Sequence, residues 1–173
     1  GGAYRLPLQF ASSQMRGRFG SDGHLYTSGF KGWQTNAARE TAFQRVRRTD
    51  APLRMPVGFK TYQEGIELEF STPIDAELAK DVESYTAEIW NYDWSVTYGS
   101  KEYSVRQPER QVEGRQKNRD PLKVSGVDVS EDGRKVFLRI ERMDECMQIR
   151  VEFDLEDKSG ELVAGEIHGT VHF

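Results

Sequence analysis

Three short segments alternate apolar and polar side chains residue by residue: Ile66-Glu67-Leu68-Glu69-Phe70, Val136-Phe137-Leu138-Arg139-Ile140 and Ile149-Arg150-Val151-Glu152-Phe153. A period of two places successive side chains on opposite faces of an extended chain, the pattern of half-buried β-strands. Each segment is bracketed by turn chemistry. Glu64-Gly65 precedes the first, Ser130-Glu131-Asp132-Gly133 the second, and Asp157-Lys158-Ser159-Gly160 follows the third. Glycine and aspartate supply the backbone angles that tight turns need, so hairpins are expected. The one helical signal is Pro73-Ile74-Asp75-Ala76-Glu77-Leu78-Ala79-Lys80, about two turns long, with Ser71 or Thr72 available as a cap and Pro73 in the first turn. The chain therefore reads as all-β.

Composition shifts near Thr49-Asp50-Ala51-Pro52-Leu53-Arg54-Met55-Pro56. Residues 1–50 carry eight basic side chains (Arg5, Arg16, Arg18, Lys31, Arg39, Arg45, Arg47 and Arg48) against Asp22, Glu40 and Asp50. They hold short, glycine-punctuated strand candidates at 6–10, 17–19, 24–29 and 42–48. The remainder is acidic, and the whole chain of 173 residues has a formal charge of −4. That balance removes any whole-chain electrostatic case for nucleic acid. The opposite signs of the two parts suit packing on each other or on a further part of the protein. No apolar run approaches the roughly 20 residues of a membrane span. The start, Gly1-Gly2-Ala3-Tyr4, lacks Met, a basic region and an apolar stretch, and reads as a trimmed piece of a longer chain. Residues 107–120 mix dense charge with a single apolar residue and read as an exposed loop.

From Met55 onward the ordered phrases are Ser71-Thr72-Pro73-Ile74-Asp75, Tyr85-Thr86, Ser130-Glu131-Asp132-Gly133-Arg134-Lys135-Val136-Phe137-Leu138 and Asp157-Lys158-Ser159-Gly160. This order resembles bacterial Ig-like domains of the fibronectin-III-like sandwich type over residues 56–173. The earlier part includes Met15-Arg16-Gly17-Arg18-Phe19, Asp22-Gly23-His24-Leu25-Tyr26-Thr27-Ser28-Gly29-Phe30-Lys31-Gly32-Trp33-Gln34-Thr35 and Phe43-Gln44-Arg45-Val46-Arg47. It is similar to the last blade of a six-bladed propeller in large secreted quinoprotein-dehydrogenase-like or haem-binding proteins of planctomycete-type bacteria. The resemblance implies a periplasmic or extracellular setting and a propeller body as partner. It does not carry an activity into this fragment, because the other blades and the CxxCH motif are absent, and no cofactor is expected here.

Residues able to carry chemistry do not assemble into a signature. His168 and His172 lie four apart in a strand-like segment, about 13 Å along an extended chain, too far to share one metal. Residues 154–161 collect oxygen ligands without the spacing of a calcium loop, and a hairpin is the better reading. No G-x-S-x-G occurs, and Cys146, the single cysteine, sits beside strand residues where a thiol is core packing. No catalytic or metal-ligating residue is expected.

Two surfaces are candidates for binding. In Trp90-Asn91-Tyr92-Asp93-Trp94-Ser95-Val96-Thr97-Tyr98, a single strand would place Trp90, Tyr92, Trp94, Val96 and Tyr98 on one face, either as core or as a platform stacking on sugar rings. Arg16, Arg18, Trp33, Gln34 and Asn36 form the second, either a loop-borne binding surface or the closing turns of a blade. The expected architecture is thus a propeller-blade-like antiparallel segment over 1–50 and an Ig-like β-sandwich over 51–173. The expected role is a non-catalytic accessory or interaction module of a larger exported, propeller-containing protein, the alternative being a carbohydrate-binding module.

Overall fold

The computed structural model describes residues 2–6, 8–96, 99–110, 113 and 117–173. In chain order the strands are β1 (Gly2–Tyr4), β2 (Gln14–Phe19), β3 (Leu25–Phe30), β4 (Thr41–Val46), β5 (Pro56–Tyr62), β6 (Gly65–Phe70), β7 (Tyr85–Tyr92), β8 (Glu102–Tyr103), β9 (Asp120–Leu122), β10 (Val124–Val129), β11 (Lys135–Ile140), β12 (Cys146–Glu156) and β13 (Leu162–Val171). All pairings between them are antiparallel. The chain is all-β, and it divides into two compact units, Gly1–Arg5 with Leu53–Phe173, and Leu6–Pro52. The later boundary lies two residues beyond the division at 50/51 read from composition. The earlier one exists because β1 pairs with β13, Gly2 opposite Gly169 and Tyr4 opposite Ile167, which ties the first residues to the last strand.

The larger unit contains two sheets. One runs β1-β13-β12-β7-β8 with β9 also on β7; the other runs β10-β11-β6-β5. The alternation seen in sequence fixes which side chains go inside. Ile66, Leu68 and Phe70 of β6 and Val136, Leu138 and Ile140 of β11 join Ala87 and Ile89 of β7, Ile149, Val151, Phe153 and Leu155 of β12, and Val163, Ile167 and Val171 of β13 in one buried cluster. Phe70 meets Phe153 edge to face with centroids 5.3 Å apart, bridging the two sheets. Both sheets therefore bury one face against a shared apolar interior, a sandwich-like arrangement with open sheet edges.

Local chemistry sets the turns. Gly133 has φ +73°, the left-handed region that closes the β10–β11 hairpin, and its N–H donates to the Ser130 carbonyl at 2.8 Å. Gly65 starts β6 where a Cβ would lie 2.0 Å from the Leu138 carbonyl oxygen, so only glycine admits the β6–β11 approach. The expected helical turn over 73–80 is instead a pair of 3-10 turns, Leu78–Lys80 and Val82–Ser84. Neither Ser71 nor Thr72 caps it. Asp75 Oδ1 accepts from the N–H groups of Glu77 and Leu78, each at 3.0 Å, while Ile74 is bridged to Asp157 and cannot join a helix. The Ser71 hydroxyl accepts from the Met55 N–H at 3.0 Å and donates to the Leu53 carbonyl, fastening the start of β5.

The smaller unit is a three-stranded sheet in the order β2-β3-β4. Its strands are offset from the expected ones: residues 8–10 form no strand, and β2 begins at Gln14. Its buried side chains are Ser12 and Thr27 alone among the described residues, whereas Phe19, Phe43 and Trp33 are 72%, 74% and 83% exposed.

Candidate functional site

The aromatic row does not occupy one strand. β7 ends at Tyr92, and its inward face is Tyr85, Ala87 and Ile89, so Trp90 and Tyr92 lie on the outward face of the larger sheet. Trp94 follows the strand end and is 97% exposed, and Val96 is fully exposed. Tyr98 lies outside the described residues. Trp90 is nevertheless buried, at 7% exposure, because the Arg119 guanidinium lies 3.8 Å from the centre of its ring.

That guanidinium is held on three sides. Arg119 donates bidentately to Glu102, Nε to Oε2 at 2.6 Å and Nη2 to Oε1 at 2.7 Å, and also pairs with Glu88. The Arg119 hydrogen bonds hold the Glu102 carboxyl below its ordinary range against the opposing effect of burial. The Arg119 charge is in turn held above its ordinary value, first by Glu102 and then by Glu88. Glu88 extends the network to Arg150 at 2.8 Å, and Arg150 reaches Glu152 at 3.0 Å and Glu166 at 3.5 Å. His168 faces Glu166 at 3.4 Å on the same outer face. The stretch 107–120 is thus exposed at 107–110 but anchored at its end, where Asn118 is buried and Asp120 accepts from Ser104, Val105 and Arg106. Sequence reasoning missed Arg119 because its partners lie 17 and 31 residues earlier.

On the three-stranded sheet, cross-strand register decides which side chains share a face. Arg18, Tyr26 and Arg45 lie across from one another, as do Arg16, Ser28 and Phe43. This face is open: Arg16, Arg18, Phe43 and Arg45 are exposed. Tyr26 and Phe43 stack with centroids 5.8 Å apart and planes 19° apart, and the Tyr26 hydroxyl donates to Asp22 at 2.8 Å. Among the described residues Arg16, Arg18 and Arg45 form no ion pair. The opposite face carries Phe19, Leu25 and Val46 in one row and Gly17, Thr27 and Gln44 in the next. Of the sequence candidates, Arg16 and Arg18 share the open face. Trp33 and Gln34 occupy a turn between β3 and β4, closed by the Thr35 hydroxyl donating to the Gly32 carbonyl at 2.9 Å, with Gln34 at φ +58°; Asn36 follows, exposed. No hydrogen bond or ion pair among the described residues ties that turn to either arginine. Tyr26, Phe43 and Arg45 were legible only through the pairing register.

Asp157 and Cys146 are committed to structure. Asp157, 4% exposed, accepts from Arg54 Nε at 2.6 Å, Ser159 N at 2.8 Å and Glu161 N at 3.1 Å, closing the β12–β13 hairpin. Its carboxyl lies well below the ordinary range, chiefly through the Ser159 hydroxyl and then Arg54. Burial pushes the Cys146 thiol up to about 11. Among the described residues no three His, Cys, Asp or Glu side chains gather as metal ligands, and no helix is long and apolar enough to cross a membrane.

No family model matches the chain, and no curated protein does. Among solved structures, domains 1–6 of the surface layer protein SbsC are similar, at 15% identity and a TM-score of 0.41, over 64% of this chain and 12% of that one. The chain thus spans a small part of that protein's length, and a likeness of this degree fixes neither fold nor activity. What its own strands define is an all-β antiparallel protein with a two-sheet unit and a separate three-stranded sheet.

Proposed function

We propose that this chain is a non-catalytic interaction module of a larger exported protein, an Ig-like sandwich carrying a blade-like sheet that engages a protein surface. The observation that carries the reading is the exposure of large apolar side chains on both faces of the three-stranded sheet. Phe19 stands out on one face and Phe43 on the other, 72% and 74% exposed, in a unit with almost no interior of its own. Exposed aromatic side chains on both sides of so small a sheet mark surfaces meant to be covered. A propeller blade is covered in this way by its neighbours, which supports the blade-like reading.

The strand order supports the Ig-like reading. With β5, β6, β7, β10, β11, β12 and β13 taken as A, B, C, D, E, F and G, the sheets run D-E-B-A and G-F-C, the order of constant-type immunoglobulin domains. An exported setting, periplasmic or extracellular, belongs to the same proposal. The test is amide hydrogen exchange across residues 14–46, in this chain alone and in the chain extended upstream in its own reading frame. Slower exchange along β2, β3 and β4 in the longer protein is expected; unchanged exchange overturns the reading.

Trp94 and Trp33, 97% and 83% exposed, favour sugar stacking as a second reading. Tryptophan emission that does not respond to any of a panel of soluble glycans removes it.

A further inference from the structure

The arginine-bearing face of the three-stranded sheet differs from its other face in being charged as well as aromatic. Arg16, Arg18 and Arg45 surround the stacked Tyr26–Phe43 pair. Along β2, Arg16 and Arg18 are about 6.6 Å apart, and Arg45 lies two strand spacings away, about 9.6 Å. The unit that holds them carries seven basic residues and three acidic ones, and one acid, Glu40, already pairs with Lys31 at 3.7 Å. Guanidinium groups without an ion-pair partner among the described residues, Arg16 donating only to the Met15 carbonyl at 2.8 Å, stand around an aromatic centre and fit a surface built the other way, with carboxylates around an apolar patch.

The larger unit carries such a surface. On the outward face of the six-stranded sheet, the hairpin end of β12 and β13 presents Asp154 and Glu156, both exposed and without an ion pair among the described residues. Glu152 and Glu166 stand beside them and share the single charge of Arg150. Opposite Glu156 and Asp154 in register are Leu162, 64% exposed, and Ala164. An apolar centre with a carboxylate surplus therefore lies on one sheet, and an aromatic centre with a guanidinium surplus on another.

We propose that the Arg16/Arg18/Arg45 face docks on the Asp154/Glu156 face of a second copy of this chain. This rests on the interaction-module reading and, on this one face of the sheet, puts a second copy in place of a neighbouring blade. The contact is heterologous, a basic face of one copy on an acidic face of the next, so each copy retains one free face of each kind and the assembly grows until it closes as a ring or continues as a filament.

The experiment is sedimentation velocity on the full chain from about 1 to about 100 μM, at about 0.05 M and about 0.5 M salt, where screening lengths differ severalfold. Concentration-dependent association at low salt, weakened at high salt, is expected. The Arg16→Glu/Arg18→Glu/Arg45→Glu protein and the Asp154→Lys/Glu156→Lys protein should each lose association about a hundredfold or more. Mixed together they should associate again, since one then carries two acidic faces and the other two basic ones; that recovery also shows that both variants are folded. A wild-type chain that stays monomeric throughout, or reversed proteins that do not recover on mixing, overturns the proposal. If residues 14–46 still gain protection in the longer protein, that failure leaves the interaction-module reading standing; if they do not, both fall.

Discussion

At the scale of single residues, Arg119 is the most informative. Its guanidinium converts an outward-facing tryptophan into a buried one. Arg119→Ala should expose Trp90, and because Trp33 and Trp94 are already open, any gain in acrylamide quenching or red shift of emission reports Trp90 alone. Arg119→Lys should not restore the wild-type spectrum, since an ammonium can neither lie flat on the ring nor fork onto Glu102. Asp157 gives a pH-dependent test. Its folded-state carboxyl lies below the unfolded value of about 3.9, so its stabilisation is complete above that value and is lost as pH falls toward the folded one. Asp157→Asn should lower the melting temperature by several degrees at neutral pH, and the difference from wild type should narrow on acidification. Cys146, buried and pushed up to about 11, should stay unreactive toward a thiol reagent near pH 8 until the chain unfolds. Sequence reading recognised the aromatic alternation from Trp90 but not that the strand stops at Tyr92, because no glycine or proline marks the end. Arg119 sits among charged neighbours that look solvated, and its partners become adjacent only when β7, β8 and β9 assemble.

Among the elements, the sandwich strands were readable where one face is buried and the other wet. The segments 66–70, 136–140 and 149–153 fall within β6, β11 and β12, and their inward residues match the alternation. The small sheet was less readable because apolar side chains occur on both of its faces, which blurs a period of two. β1 left no signal at all: three residues carry no pattern, and their partner is at the far end of the sequence. The turn between β5 and β6 offers a test at this scale. Gly65→Ala forces a methyl against the Leu138 carbonyl, so β6 and β11 must separate locally. A loss of about 2–4 kcal/mol in denaturant unfolding is expected, larger than an ordinary surface substitution gives.

Taken as a molecule, the protein concentrates its burial in one unit, while the other, with almost no interior, leaves Phe19, Phe30, Trp33 and Phe43 exposed. Leu68→Ala, in the sealed interior, should cost about 2–5 kcal/mol, whereas Phe43→Ala, which loses only its stack on Tyr26, should cost no more than about 1.5 kcal/mol in the monomeric chain. Similar losses at both positions would mean that Phe43 is covered in solution. The antiparallel all-β class was legible from periodicity and turns. The return of the first residues to the large sheet was not, since it depends on a pairing that spans nearly the whole chain. That pairing also sets an order of events. During synthesis Gly2–Tyr4 emerge long before the backbone groups they bind, on Ile167 to Gly169. They must therefore wait unpaired while every strand between is made. In a crowded solution of half-finished chains, such a segment is apt to zip onto a neighbour's β13 and be exchanged between molecules.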